Sequence, residues 1–337
     1  MKILFWSEFY WPHVGGIEIL VNELSHALGE RGHAAEIITN HYSPVLPSKE
    51  LCQGIPVHRI DLAGASRGGP RAMFTLLQEV REIRRRFEPS INHFFLSGPL
   101  ALAHQMTNHS PRLPTVTSLQ TPLDGILGGG SSVVKLLRDS EAILAPNSPL
   151  MDGIRHYLPE VAERLHRVTH SAFRFPVPPA ALPLDPPVLL CLGRLVKEKG
   201  FDLALHAFAR LGPGFEQVRL IIAGEGPERG ALEGLAATLD LTARVEFTGI
   251  VDREEIGALI NRSTLMLVPS RWEEPFGIVC LEAGMMARPV VANRVGGIPG
   301  VIGDRVTGLL VENENPEALA DAIRSLLNDP ERMSAMG

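Results

Sequence analysis

Two glutamates, Glu274 and Glu282, stand eight residues apart in the segment Arg271-Trp-Glu-Glu-Pro-Phe-Gly-Ile-Val-Cys-Leu-Glu282, around a Pro275-Phe276-Gly277 turn. The turn follows an apolar run ending at Val268-Pro269-Ser270 and opens an amphipathic stretch. A helix that starts at such a turn leaves backbone N–H groups pointing outward, and its dipole adds positive potential, so that end can hold a phosphate or the hydroxyls of a sugar. Glu282, nearly a turn and a half into the helix, has a carboxylate able to accept from two vicinal hydroxyls, as on a ribose. Read singly, each glutamate is also an ordinary solvated carboxylate.

A second group, Leu192-Gly193-Arg194-Leu195-Val196-Lys197-Glu198-Lys199-Gly200, follows another apolar run. The chain has 27 arginines and 5 lysines, and two of the five lysines fall in this turn. Arg194 as a planar fork and Lys199 as a point charge suit a diphosphate. Gly224-Glu225-Gly226-Pro227 and Pro12-His13-Val14-Gly15-Gly16-Ile17-Glu18 are two further glycine turns, each opening a helix. Either alone is plain turn chemistry. Gly15-Gly16 lacks the third glycine of G-x-G-x-x-G, so a nicotinamide dinucleotide is not indicated.

The elements that must carry these turns are legible as short apolar runs alternating with amphipathic stretches, the pattern of βαβ units. In the first half, strands are expected at 2–7, 34–39, 57–60, 91–95, 115–118 and 142–145, with helices at 16–31 and 71–87. In the second, strands are expected at 188–192, 219–223, 245–248, 265–268, 289–292 and 308–311. Between the halves, residues 175–187 hold six prolines, which neither a helix nor a central strand admits. The expected organisation is therefore a domain over 1–172, a linker over 173–187 and a second domain over 188–337. Both are doubly wound α/β, and the ligand site is expected in the cleft at the carboxyl ends of their sheets.

Length and composition agree with this. The 337 residues suffice for two domains at roughly 100 to 200 residues each. No apolar stretch approaches the roughly 18 residues of a membrane span, and Met1 to Trp6 lacks the plan of a signal peptide. Three scattered cysteines, Cys52, Cys191 and Cys280, make neither a disulfide framework nor a metal site, which fits a reducing cytosol. The net charge of −6 comes from the second half: residues 1–170 balance 16 basic against 16 acidic side chains, and residues 171–337 carry 16 against 22. Neither half is basic enough for nucleic acid to be the main partner. In 71–87, Arg81, Arg84, Arg85 and Arg86 could face anionic lipid, but Glu79 and Glu82 interleave them and a solvated face is favoured.

Taken together, Glu274-x7-Glu282 with Pro-Phe-Gly, Gly-Arg-Leu-x-x-Glu-Lys-Gly at 193–200, Gly-x-Gly-Pro at 224–227, Gly296-Gly297-Ile298-Pro299, Thr307-Gly308 and the N-terminal Pro-x-x-Gly-Gly-Ile-Glu resemble family 4 of the retaining GT-B glycosyltransferases, the glycosyl transferases of group 1. The resemblance runs from residue 1 to about 330. It implies a GT-B fold of two Rossmann-like domains facing across a cleft, an acceptor-side first domain and a donor-binding second one. It implies that Arg194 and Lys199 hold the diphosphate of a nucleotide-sugar, UDP- or GDP-linked, and that Glu282 accepts from the ribose. Glu274 would hold a sugar hydroxyl near the reacting carbon, and the amides of Phe276, Gly277, Ile278 and Val279 would bind sugar and phosphate. Gly15, Gly16 and Gly224 would complete the donor site. No metal or other cofactor is implied. The acceptor would be a sugar, a lipid-linked molecule or another small molecule, and the location cytoplasmic or at the inner membrane face.

The chain departs from the family at four places. Gln120 stands in 115–124 where relatives often carry a histidine near the donor sugar; glutamine makes neutral hydrogen bonds but does not titrate near pH 7. His93 or Asp124 are alternative sources of a polar group. Gly300 replaces a usual Glu after Gly-Gly-x-Pro, and His170-Ser171-Ala172-Phe173 replaces a usual Asn-Gly segment. The family's final helix, which crosses back to the first domain, is expected to be missing after Gly337. Rival readings are a nucleotide-sugar epimerase or a phosphorylase on the same fold, and a non-catalytic nucleotide-sugar-binding subunit.

Overall fold

The structure, a computed structural model, describes all residues except 14, 97–99, 110, 120–130 and 169–174. Its residues divide into two units, Met1–Ser171 and Ala172–Gly337. In the first unit the strands are β1 (Lys2–Ser7), β2 (Ala34–Asn40), β3 (Lys49–Cys52), β4 (Ile55–Ile60), β5 (Ile91–Leu96), β6 (Thr115–Leu119), β7 (Ala142–Ala145) and β8 (Leu165–Arg167). The helices are α1 (Gly16–Glu30), α2 (Leu62–Arg67), α3 (Gly69–Phe87), α4 (Leu100–Thr107), α5 (Ser132–Asp139) and α6 (Ser148–Tyr157). The second unit has β9 (Val188–Leu192), β10 (Arg219–Ala223), β11 (Val245–Gly249), β12 (Leu265–Val268), β13 (Val290–Asn293) and β14 (Gly308–Val311). With them are α7 (Phe201–Ala209), α8 (Arg229–Thr238), α9 (Ile256–Asn261), α10 (Ile278–Met285), α11 (Pro316–Leu327) and α12 (Pro330–Met336).

All twelve expected strands are present, nearly at their expected bounds. Two more, β3 and β8, went unread because Lys49-Glu-Leu-Cys52 is charged and alternating, and Leu165-His-Arg167 has a single apolar residue. The first sheet runs β3-β4-β2-β1-β5-β6-β7-β8, parallel except for the antiparallel β3–β4 edge pair. The second runs β11-β10-β9-β12-β13-β14 and is wholly parallel.

Both sheets are covered on both faces, which is why their strands are near-continuous apolar runs. On β1, Leu4 and Trp6 join one core with α3 to α6, while Ile3 and Phe5 join the other with Val21 of α1. On β9, Leu189 and Cys191 pack with α7, α8 and α11, and Leu190 packs with α9 and α10. The alternation of side chains along a strand makes this division. On α3, Arg84 is buried and bonded to Asn108 at 2.8 Å and the Pro111 carbonyl at 3.0 Å, and Arg86 pairs with Glu36 at 2.8 Å. Two of its arginines are thus committed within the unit. Among the described residues no helix is long and apolar enough to cross a membrane.

Residues 175–187 pack on the second unit. Prolines donate no N–H, so the carbonyls of this stretch turn to side chains. Asn261 Nδ2 donates to the Pro178 carbonyl at 2.9 Å, and Arg288, 1% exposed, donates to the carbonyls of Ala180 (2.8 Å), Asn261 (2.9 Å) and Ile260 (3.2 Å). Replacing the guanidinium by a thioether strips several buried carbonyls of their donor at once. Arg288→Met is expected to cost about 3 kcal/mol or more, read as a lowered urea midpoint.

Candidate functional site

In the second sheet, strands added from β9 outward go to β10 and β11 on one side and to β12, β13 and β14 on the other. The order reverses between β9 and β12, and at such a switch point the two connections diverge and leave a crevice beyond the strand ends. The loop after β9 carries Arg194 and Lys199, and the loop after β12 carries Glu274. The topology thus brings together residues 75 positions apart in sequence.

Lys199 ends a 3-10 turn, Lys197–Lys199, and its ammonium is ion-paired to Glu274 Oε1. Ser270 Oγ donates to the same oxygen at 2.8 Å. Glu274 is 7% exposed and Lys199 is half-buried. Around them Arg271 grips Asp202 Oδ2 at 2.7 Å and Glu314 at 2.6 Å, and its amide donates to the Glu198 carbonyl at 2.8 Å. Burial pushes the Asp202 carboxyl up, but the hydrogen bonds and charge of Arg271 outweigh it and leave the group below its ordinary value. Asn293 Nδ2 donates to the Ser270 carbonyl at 3.1 Å. The loop that aims Glu274 is therefore tied to both neighbouring strand ends. Arg194 is exposed, and its guanidinium has no hydrogen-bond or ion-pair partner among the described residues.

Glycine is required where these loops meet. A Cβ on Gly200, at φ +65°, would lie 2.1 Å from the Pro269 carbonyl oxygen; one on Gly224 would lie 1.9 Å from that of Gly193. Gly296 and Gly297 press in the same way on Glu274 and Pro275, with the Gly297 amide donating to the Glu274 carbonyl at 2.6 Å. Gly224 is thereby placed as a packing partner of the turn that bears Arg194.

Gly277, at φ +86°, is the N-cap of α10 and has no side chain to accept from the first-turn amides, so Ile278 and Val279 begin the helix uncapped. Phe276 is buried beside them. Glu282, 2% exposed, pairs with Arg253 of the β11–α9 loop at 2.5 Å. Burial pushes its carboxyl above the ordinary value, against the charge and hydrogen bond of Arg253. Between the two glutamates, burial and the charge of Glu274 push the Cys280 thiol up to about 12.

In the first unit, Gly15 is the N-cap of α1 and Gly16 its first residue. The buried Glu18 carboxylate turns back on the amides of Gly15 and Glu18 and lies 3.4 Å from His13. Glu8, just past β1, is 8% exposed; burial pushes it up to about 7, and Asn40 Nδ2 donates to its Oε1 at 3.2 Å. His93 is stacked on Phe95 and bonded to Ser118 at 2.8 Å, and burial pushes it down to about 4, so it is neutral at pH 7. Gln120, Asp124 and the 170–173 segment lie outside the described residues.

Lys199, Glu274, Glu282 and the start of α10 thus share one strand-end region of the second unit, and Gly15 and Gly16 belong to the other unit. Arg253, Ser270, Asp202 and Asn293 were not singled out by sequence. Ser270 was within reach as the residue closing the strand that leads to Glu274; Arg253 sits in no motif.

Gly200→Ala is expected to destabilise the second unit by about 2 kcal/mol or more, combining left-handed strain with the clash on Pro269. Gly234→Ala, inside α8 with open space around it, is expected to be neutral or stabilising by about 0.5 kcal/mol. Thermal denaturation of the two variants checks the contrast.

The family model for glycosyl transferases group 1 matches residues 177–337, and that for Glycosyltransferase Family 4 matches residues 14–169. D-inositol 3-phosphate glycosyltransferase of Frankia alni is 30% identical over 354 residues, 94% of this chain and 86% of that one. Alpha-D-kanosaminyltransferase of Streptomyces kanamyceticus is 35% identical over 211 residues; that match spans 59% of this chain and about half, 54%, of the relative. Among solved structures, HepE of Anabaena, in complex with UDP and glucose, superposes with a TM-score of 0.81 at 21% identity, covering 100% of this chain and 92% of that one. With the switch-point cluster and both doubly wound units in place, the chain belongs to the group 1 glycosyltransferases of GT-B fold.

Proposed function

We propose that this glycosyltransferase takes its sugar from a nucleoside diphosphate, UDP- or GDP-linked, bound in the second unit, and passes it with retention and without a metal to a hydroxyl of a sugar or other small acceptor. The observation that carries the reading is the cluster of Lys199, Glu274 and Ser270 at the switch point, beside the uncapped start of α10. An ammonium has three donors; Glu274 takes one, which leaves two for a diphosphate. Arg194, exposed on the same turn, would add a planar fork. Glu274, desolvated and oriented by Lys199 and Ser270, would accept from a sugar hydroxyl near the reacting carbon, and Glu282 from the ribose. The amides of Phe276 to Val279 would meet sugar and phosphate, and Gly15, Gly16 and Gln120 are proposed as further donor-binding residues.

As the glycosidic bond to the diphosphate breaks, negative charge collects on the leaving oxygens. Lys199, Arg194 and the α10 dipole would stabilise that charge, the electrostatic contribution that usually dominates such steps. Retention follows when the acceptor oxygen attacks from the face the diphosphate leaves and hands its proton to a departing phosphate oxygen. HepE, whose structure holds UDP and glucose, supports a nucleotide donor. The names of the relatives, an inositol phosphate glycosyltransferase among them, support a hydroxyl-rich acceptor.

A thermal-shift panel of UDP-, GDP- and ADP-sugars without added metal is expected to raise Tm with one nucleotide family. Transfer to an acceptor, rather than change of the donor alone or use of free phosphate, separates the reading from an epimerase or phosphorylase; binding with no turnover would mark a non-catalytic subunit. Lys199→Ala and Glu282→Ala are each expected to weaken nucleotide binding by about 10- to 100-fold, the loss of a charge-assisted hydrogen bond. Unchanged affinity in both would overturn the donor site. Glu274→Ala is expected to lower kcat by about 100-fold with nucleotide affinity nearly kept, and an equal loss of both would move Glu274 off the sugar.

A further inference from the structure

Glu282 is a carboxylate on the inner face of a helix, 2% exposed, where a lone charge would be neutralised by taking up a proton. Its nearest cation comes from a different part of the unit. Arg253 lies in the loop between β11 and α9, half-buried, with Nη1 2.5 Å from Glu282 Oε1. The guanidinium also lies over the ring of Phe175, 5.4 Å from its centroid. Phe175 is itself pinned: it packs on α9 at Gly257, where a Cβ would come within 2.8 Å of the Phe175 Cβ. One planar cation is thus held between a ring next to the boundary of the two units and a carboxylate on α10. Ring, guanidinium and carboxylate belong to three segments with no sequence spacing in common.

We propose that Arg253 is a positioning residue of the nucleotide site, which keeps Glu282 ionised and aimed so that its carboxylate can accept from ribose hydroxyls, and that Phe175 fixes Arg253 for this. The inference rests on the reading of Glu282 as the ribose acceptor. A carboxylate has about four lone-pair directions and a carboxylic acid fewer, so a protonated Glu282 loses acceptor capacity toward the diol. Arg253 makes its ion pair at Oε1, and the ribose hydroxyls would meet the other carboxylate oxygen. The other ionisable groups nearby are Cys280 on α10 and, beyond it, Glu274 and Lys199, which neutralise each other. Arg253 is the group that opposes the effect of burial on Glu282.

The test uses the full chain and calorimetric titration with UDP, GDP and ADP, each against its 2′-deoxy form, from about pH 6 to about pH 8.5. For the nucleotide that binds, Arg253→Gln is expected to lose about 10-fold in affinity near pH 6.5 and to regain much of it as pH rises and the carboxyl ionises; the wild type is expected to lose affinity only at lower pH. The 2′-deoxy form is expected to lose about 2-fold or less, because the missing hydroxyl removes what Glu282 reads. Arg253→Lys is expected to restore most of the affinity, and Phe175→Leu to shift the pH profile the same way by a smaller amount. A wild-type pH profile in Arg253→Gln overturns the proposal, as does an equal, pH-independent loss for ribo- and deoxynucleotide, which marks a purely structural role. If Arg253→Gln does not fold, Phe175→Leu decides: a wild-type pH profile in that variant overturns the proposal. Glu282→Gln separates the two readings, since kept discrimination between ribose and deoxyribose there means that the ribose assignment itself has failed.

Discussion

The geometry of the switch-point cluster depends on main chain meeting main chain at the carboxyl edge of the second sheet. Gly224 against Gly193, Gly200 against Pro269, and Gly296 and Gly297 against Glu274 and Pro275 leave no room for a Cβ. These contacts draw the loops after β9, β10, β12 and β13 into one block. Only then do an ammonium from the first loop and a carboxylate from the third reach each other. The chemistry at the switch point is a consequence of missing side chains as much as of present ones.

Exposed Arg194 apart, the main charges of this region are paired with one another. Lys199 answers Glu274, Arg253 answers Glu282, and Arg271 answers Asp202 and Glu314. In the first unit Glu18 covers the amides at the start of α1. These pairs avoid the cost of bare buried charges.

How far the sequence could be read follows from what each feature depends on. Strands buried on both faces announce themselves as apolar runs, and the glycine turns and the Glu274–Glu282 spacing are local patterns, so the fold and the motifs that meet at the switch point were legible. β3 and β8 were not, because a charged four-residue edge and a three-residue strand carry no periodic signal. Arg253 was invisible for another reason. Helix α9, strand β12 and the start of α10 lie between it and Glu282, and their meeting is fixed by sheet order, which no spacing encodes. Glu18 was read as part of a turn, but its folding back over Gly15 depends on a rotamer and on burial. The expectation that Gln120 serves the donor falls on a segment outside the described residues.

The short edge strands that escaped notice bear on how copies of this chain behave toward one another. The first sheet ends in four residues with a lysine and a glutamate on one side and in three residues with exposed His166 and Arg167 on the other. The second ends in β11, where exposed Glu246 pairs with Arg262, and in the four residues of β14. None offers the long, flat, apolar rim that recruits a neighbouring strand. Mostly parallel sheets fold slowly and expose their edges while doing so; here the edges are short, and all but the apolar β14 carry charge, which works against edge-to-edge pairing of copies while the chain folds.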